Sequence, residues 1–294
     1  MESSQRTYKV ADFFFLVENM PFEPENLQPF REPDCNEDKI FTLKLVDSLP
    51  GDIGEKIYKT PETPGMPIFT IYRSDFGYLF EYQPFAGRPV AGKMLVADDF
   101  CSASLLLTGS ADLFALNNSM MLLFSFASAR LGALEMHSSV VTKDGRGYLF
   151  LGKSGTGKST HSQLWLNNLP GTELLNDDNP ILRLLPDGSV RVYGSPWSGK
   201  TPCYKSKDAP VGAIVHLKQA PYNKIERMPV LQAYATLMES ASSFRPFSPL
   251  ADGWHHTMEG ICTSTPFYFL ECLPDRDAAL LCYETTANGK QDPA

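Results

Sequence analysis

The octapeptide Gly152-Lys153-Ser154-Gly155-Thr156-Gly157-Lys158-Ser159 constrains this chain more than any other stretch. It fits the spacing G-x-x-x-x-G-K-[ST]. Gly155 and Gly157 let the main chain turn its N–H groups inward around an anion. An apolar run, Tyr148–Leu151, leads in, and a helical pattern with Leu164 and Trp165 leads out. A strand that enters a helix through such a loop aims free amides and the positive end of a helix dipole at one point, as a polyphosphate requires. Lys158 then adds a point charge for the β- and γ-phosphates, and Ser159 a hydroxyl for Mg²⁺. The expected ligand is a nucleoside triphosphate such as ATP with Mg²⁺, held by the residues from Gly152 to Thr160, Ser154 and Thr156 included.

The same spacing recurs at Gly194-Ser195-Pro196-Trp197-Ser198-Gly199-Lys200-Thr201. Pro196 has no N–H to offer, and Trp197 is bulky where the first loop has a glycine. Thr201–Asp208 shows no apolar helical period, so no second cradle is expected there. Lys200 and Ser198 either reach toward phosphate or substrate or sit in a tight solvent loop.

Asn176-Asp177-Asp178 closes a strand predicted over Glu173–Asn176. A carboxylate at the end of a strand near a phosphate loop holds Mg²⁺ directly or through water. Two adjacent carboxylates repel unless a cation or proton intervenes. One is therefore expected to serve the metal, as Asp177 would with Ser159, while the other orients or deprotonates a nucleophile. The sequence does not divide these duties, and an Asx turn before Pro180 is the plainer alternative. His137 precedes the strand pair that leads to the loop, whereas His161, His216, His255 and His256 read as background. Arg245, between two predicted helices, either caps a carbonyl or clamps a γ-phosphate.

The first third reads as strands, at Val10–Val17, Phe41–Val46, Met66–Tyr72, Gly77–Tyr82 and Met94–Ala97. A helix is predicted from about Asp112 to Leu134, with the domain boundary near its start, giving regions 1–110 and 111–294. Later helices are predicted over Val230–Ser242, Leu250–Cys262 and Asp275–Glu284, the last with Asp275 as N-cap. A length of 294 residues and a net charge of −8 suit one large or two modest domains and argue against a broad nucleic-acid footprint. Six cysteines without a C-x-x-C pair argue against zinc. The first residues lack a signal-peptide pattern, and no apolar run approaches the roughly 20 residues of a membrane span. The expectation is a cytoplasmic protein with neither nucleic-acid nor membrane partners.

His137, then Gly152–Ser159, then Asp177–Asp178 resembles the catalytic core of the HPr kinase/phosphorylase family. Phe150–Ser159 also resembles the nucleotide loop of phosphoenolpyruvate carboxykinases, a family with a related core. The match runs from about His137 to Val215. It implies an α/β (α+β) fold, a mainly β N-terminal region followed by a carboxykinase-like P-loop core whose mixed sheet is flanked by helices. It further implies ATP and Mg²⁺ at Lys158 and Ser159, metal and general-base duties at Asp177 and Asp178, and His137 near the transferred phosphate. The glycine-rich signature that follows the Asp pair in HPr kinases is absent, and Gly194–Lys200 stands there instead. The implied activity is an ATP-dependent kinase acting on a hydroxyl of a small molecule or peptide rather than on HPr. A nucleotide sensor without transfer and a carboxykinase-like activity are the alternatives. Assembly into a homo-oligomer is an expectation by analogy alone.

Overall fold

The computed structural model describes residues 5–33, 35–51, 54–199, 201–242 and 248–287. The chain divides into two compact units, Met1–Ser128 and Ala129–Ala294. Both are mixed α/β structures.

The first unit contains β1 (Gln5–Val10), β2 (Phe13–Glu18), β3 (Lys39–Leu45), β4 (Glu55–Lys59), β5 (Ile68–Ser74), β6 (Gly77–Gln83), β7 (Gly92–Val96), β8 (Ser102–Leu107) and α1 (Asp112–Ser128). The strands form one sheet in the order β1-β2-β3-β8-β7-β6-β5-β4. β2, β3 and β8 are parallel and the outer pairs antiparallel. The strand expected over Val10–Val17 is two arms of a hairpin, because Ala11 (φ 48°) and Asp12 (φ 61°) both turn left-handed. Such a turn matches the twist of the paired strands. Alternation buries Phe15, Phe41, Phe80 and Tyr82, with Phe15 stacked on Phe41 at 4.7 Å between ring centroids. Phe124 of α1 meets Phe15 edge-on at 6.4 Å.

α1 ends at Ser128, short of the predicted Leu134. Beyond it, Gly132 turns the chain at φ 76°, where a Cβ would stand 2.6 Å from the Leu184 carbonyl oxygen. Leu134 then belongs to a strand. The two units divide after α1 rather than at its start, because the helix packs on β3, β6, β7 and β8.

The second unit runs β9 (Ala133–Glu135), β10 (Ser138–Lys143), β11 (Arg146–Leu151), α2 (Lys158–Asn168), β12 (Glu173–Asp178), β13 (Ile181–Leu184), β14 (Val190–Tyr193), β15 (Asp208–Gln219), β16 (Lys224–Arg227), α3 (Val230–Ser240), α4 (Ser248–Ser264), β17 (Phe267–Cys272) and α5 (Arg276–Ala287). Its sheet follows the order β12-β10-β11-β15-β14-β13-β9, with β17 also paired to β15 and β16 to β17. β15 pairs with β14 through Asp208–Pro210, and its later residues lie parallel to β11 and β17. β10 is antiparallel to both β11 and β12. α2 and α5 pack together against this sheet, and α3 packs on α4. Asp275 caps α5 as expected, its Oδ1 accepting the Ala278 N–H at 2.9 Å. Among the described residues no helix is long and apolar enough to cross a membrane.

Trp165 of α2 is fully buried and lies 5.0 Å from Tyr148 and 5.4 Å from Phe150, centroid to centroid. Trp165→Ala should destabilise the second unit by about 3–5 kcal/mol through the cavity it leaves. Leu231→Ala, at a position 83% exposed, should stay within about 0.5 kcal/mol of the parent. Urea unfolding of the two variants checks both values.

Candidate functional site

β11 delivers the chain into the glycine loop, and α2 starts from it at Lys158. Gly155 (φ 82°) and Gly157 (φ 108°) sit in the left-handed region, which a side chain rarely tolerates. Gly157 occupies the N-cap position without a side chain of its own, so the first amides of α2 have no side-chain cap there. Thr156 fastens the loop instead, its N–H and Oγ1 donating to Lys153 O at 3.1 and 2.6 Å.

Lys158 folds back along the loop. Its Nζ donates to Gly152 O and to His137 Nε2, both at 2.9 Å. His137 Nδ1 stands 2.9 Å from Asp178 Oδ1. With the Lys158 ammonium assigned as donor at Nε2, the ring carries its proton on Nδ1, facing the Asp178 carboxylate. Burial pushes the Lys158 ammonium below its usual value, against the upward pull of Asp178 and Asp177. Ser159 Oγ donates to Asp177 Oδ1 at 3.0 Å. The loop, His137, Asp177 and Asp178 thus line one cleft of about 610 Å³, together with Gly199 and Thr201.

The predicted residues His137, Ser154, Gly155, Gly157, Lys158, Ser159, Thr160, Asp177 and Asp178 all line this cleft. Gly152 contributes its carbonyl to Lys158, and Thr156 contributes the loop fastening. Lys200 and Arg245 lie outside the described residues. His161, read as background from the sequence, is buried. Its ring meets Phe150 edge-on at 4.7 Å, and its Nε2 accepts the Trp165 Nε1–H at 3.1 Å. Burial lowers its pKa to about 4, so it is neutral filler at neutral pH.

The second glycine-rich stretch has a structural task that its pattern did not announce. Gly199 N–H donates to Asp177 O at 2.7 Å, and Ser198 Oγ donates to the same oxygen at 3.2 Å. Asn176, fully buried, spreads its amide over Ser195 O, Ser195 Oγ and Trp197 O at 3.2–3.4 Å. Its Oδ1 accepts the Asn179 N–H at 3.0 Å. Ser195 Oγ donates to Asn179 O at 2.5 Å. This net grips the main chain on both sides of the carboxylate pair. Asp178 sits at φ 130°. For a residue with a side chain that conformation costs on the order of 1–3 kcal/mol and persists only where its surroundings enforce it. A Cβ on Gly199 would lie 3.0 Å from Asp178 Cβ, so the stretch approaches as closely as a glycine allows.

Sequence reasoning passed over Asn176, Ser195, Gly199 and Glu135. The signal for Asn176 is an amide that directly follows the apolar pair Leu174–Leu175 in β12. Glu135, in β9, is 4% exposed. Burial and the Asp178 charge push its carboxyl well above the usual range. Nothing in its local sequence foretells that burial.

No family model matches the chain, and no curated protein matches it. Among solved structures it is similar to the HPr(Ser) kinase/phosphatase from Coxiella burnetii, at 13% identity over 53% of this chain and 89% of that chain, with a TM-score of 0.31. The likeness is distant and assigns no role to any residue here. Fold and site define a mixed α/β protein in which a glycine loop, an Asp pair and a histidine share one cleft.

Asn176→Ala removes the centre of the grip and leaves buried partners unmet, at a cost of about 1–3 kcal/mol. The Gly199 amide should then exchange with deuterium faster than in the parent. Unchanged protection at Gly199 would show that the grip does not depend on Asn176.

Proposed function

We propose that this chain is an ATP-dependent, Mg²⁺-assisted phosphotransferase acting on a hydroxyl of a small molecule or peptide. The observation that carries this reading is the meeting of Lys158, Ser159–Asp177 and His137–Asp178 around one glycine loop. We assign the roles as follows. Loop amides and Lys158 bind the β- and γ-phosphates. Asp178 is the base. It already accepts from His137 Nδ1 at 2.9 Å and from Asn179 Nδ2 at 3.2 Å, which orient its carboxylate toward the cleft. An acceptor O–H gives its proton to Asp178 while its oxygen forms the bond to the γ-phosphorus. The bond from that phosphorus to the β-phosphate oxygen breaks, and ADP leaves.

Ser159 Oγ and Asp177 Oδ1 are hard oxygen donors 3.0 Å apart. They suit Mg²⁺, which takes one or two protein oxygens and leaves its other positions to water and phosphate. Among the described residues no group of three His, Cys, Asp or Glu is placed to hold a metal. When bound, Mg²⁺ neutralises charge on the β- and γ-phosphates. Positioning and charge neutralisation carry most of the rate in such reactions. The proposed core is the carboxykinase-like one that the loop and the Asp pair suggested.

Lys158→Ala should abolish nucleotide binding in calorimetry with ATP and Mg²⁺. Asp178→Asn should keep ATP affinity within about threefold yet lower turnover by about 10²–10⁴. ADP release, measured across a panel of hydroxyl acceptors, provides the readout. Full activity in both variants would end the proposal. Tight ATP binding without ADP release on any acceptor would point to a nucleotide sensor instead.

A further inference from the structure

A second cavity, of about 500 Å³, adjoins the loop and plays no part in the chemistry above. It shares Gly157 and Thr160 with the acidic cleft but has no Asp, Glu, Lys or Arg in its walls. Leu164 of α2 forms one side. Leu217 and Gln219–Pro221 at the end of β15, with Cys272–Pro274 at the end of β17, form the other. His161 also lines it and is neutral, since burial lowers its pKa to about 4.

Three features of this groove favour one occupant. First, β11, β15 and β17 are parallel neighbours, and the groove lies beyond their carboxyl ends, where parallel sheets take their ligands. Second, it is continuous with the phosphate loop. Gln219 Nε2 donates to Gly155 O and Thr156 O, each at 3.3 Å, so the wall and the loop are tied together. Third, its chemistry is the opposite of the acidic cleft. A chain of phosphates seated in the loop has a reactive end that needs carboxylates and a metal. Its other end carries an uncharged planar group that needs apolar walls.

We propose that this groove holds the base and ribose of the nucleotide whose phosphates occupy the loop. The inference rests on the loop being a polyphosphate cradle and adds where the nucleoside lies. Leu164, Leu273 and Pro274 supply flat apolar contact for the base. The Gln219 amide nitrogen is spent on the loop, which leaves Oε1 to accept from an amino group of the base. A volume of about 500 Å³ falls within the range of small-molecule pockets.

Calorimetry with ATP and with inorganic tripolyphosphate, both with Mg²⁺, tests this. The full chain is compared with Leu273→Asp and with Ala220→Trp. Leu273 is already 37% exposed, so a charge there is tolerable to the fold. The parent should bind ATP at least about tenfold more tightly than tripolyphosphate. Both variants should lose that advantage and bind tripolyphosphate as the parent does. Unchanged ATP affinity in the variants overturns the groove and leaves the loop standing. If the parent binds neither ligand, loop and groove fall together. Photolabelling of the parent with 8-azido-ATP decides independently of any variant. Label on Leu217–Pro221 or Cys272–Pro274 supports the groove, and label confined to other segments overturns it.

Discussion

The placement of β10 governs the whole second unit. It lies between β11 and β12 and is antiparallel to each. β11 and β12 therefore run the same way without touching, and their carboxyl ends reach the same end of the sheet. One strand ends in the glycine loop and the other in the Asp pair. Neighbouring strands are spaced by about 4.8 Å, so two spacings set the loop about 10 Å from the carboxylates at backbone level. That gap is wide enough for phosphate and narrow enough for side chains to bridge, as Ser159 and Asp177 do. His137 immediately precedes β10, so it enters at this same end and reaches both Lys158 and Asp178.

The carboxylate pair needs more than its strand to stay in place. Asp178 holds a φ that favours glycine, and both its neighbours in sequence are drawn into hydrogen bonds with residues around Ser195 and Gly199. A carboxylate on a relaxed strand end would follow the pleat and point where the register sends it. Here the main chain is bent away from that path and held there. The stored strain is matched by a dense set of buried hydrogen bonds. This is the arrangement by which a protein aims one side chain without the freedom to relax.

Much of this site was legible because its parts are local. The glycine loop, the strand before it and the helix after it are contiguous, so spacing alone placed Gly152 to Thr160 in order. The Asp pair was expected just past a strand over Glu173–Asn176; it forms the end of that strand, β12, which runs on to Asp178. The N-cap role of Asp275 was equally local. What the sequence hid is long-range. The repeat of the loop pattern at Gly194–Thr201 looked like a decoy, and only the fold shows it against the backbone of Asp177. His161 read as background, and only the fold shows Phe150 and Trp165 packed against it. The hairpin at Ala11–Asp12 was missed because the apolar run around it reads as one strand, and a lone Asp12 beside an alanine is a weak turn signal. Leu134 extended a helical pattern, and Gly132 ended it through contact with a distant strand.

The loop divides two environments of unlike polarity, and that division gives the proposed reaction its direction. On one side stand Asp177, Asp178 and His137; on the other stand Leu164, Leu217, Leu273 and Pro274. A ligand charged at one end and apolar at the other has a single low-cost orientation across such a boundary. Reversal would bring an apolar ring against carboxylates and bury phosphates among leucines without hydrogen-bond partners, a costly exchange. In the proposed reaction the terminal phosphate would then face Asp178, with Mg²⁺, Lys158 and the loop amides offsetting its repulsion from the carboxylates. Gln219 links the two sides by bonding the loop carbonyls from the groove wall.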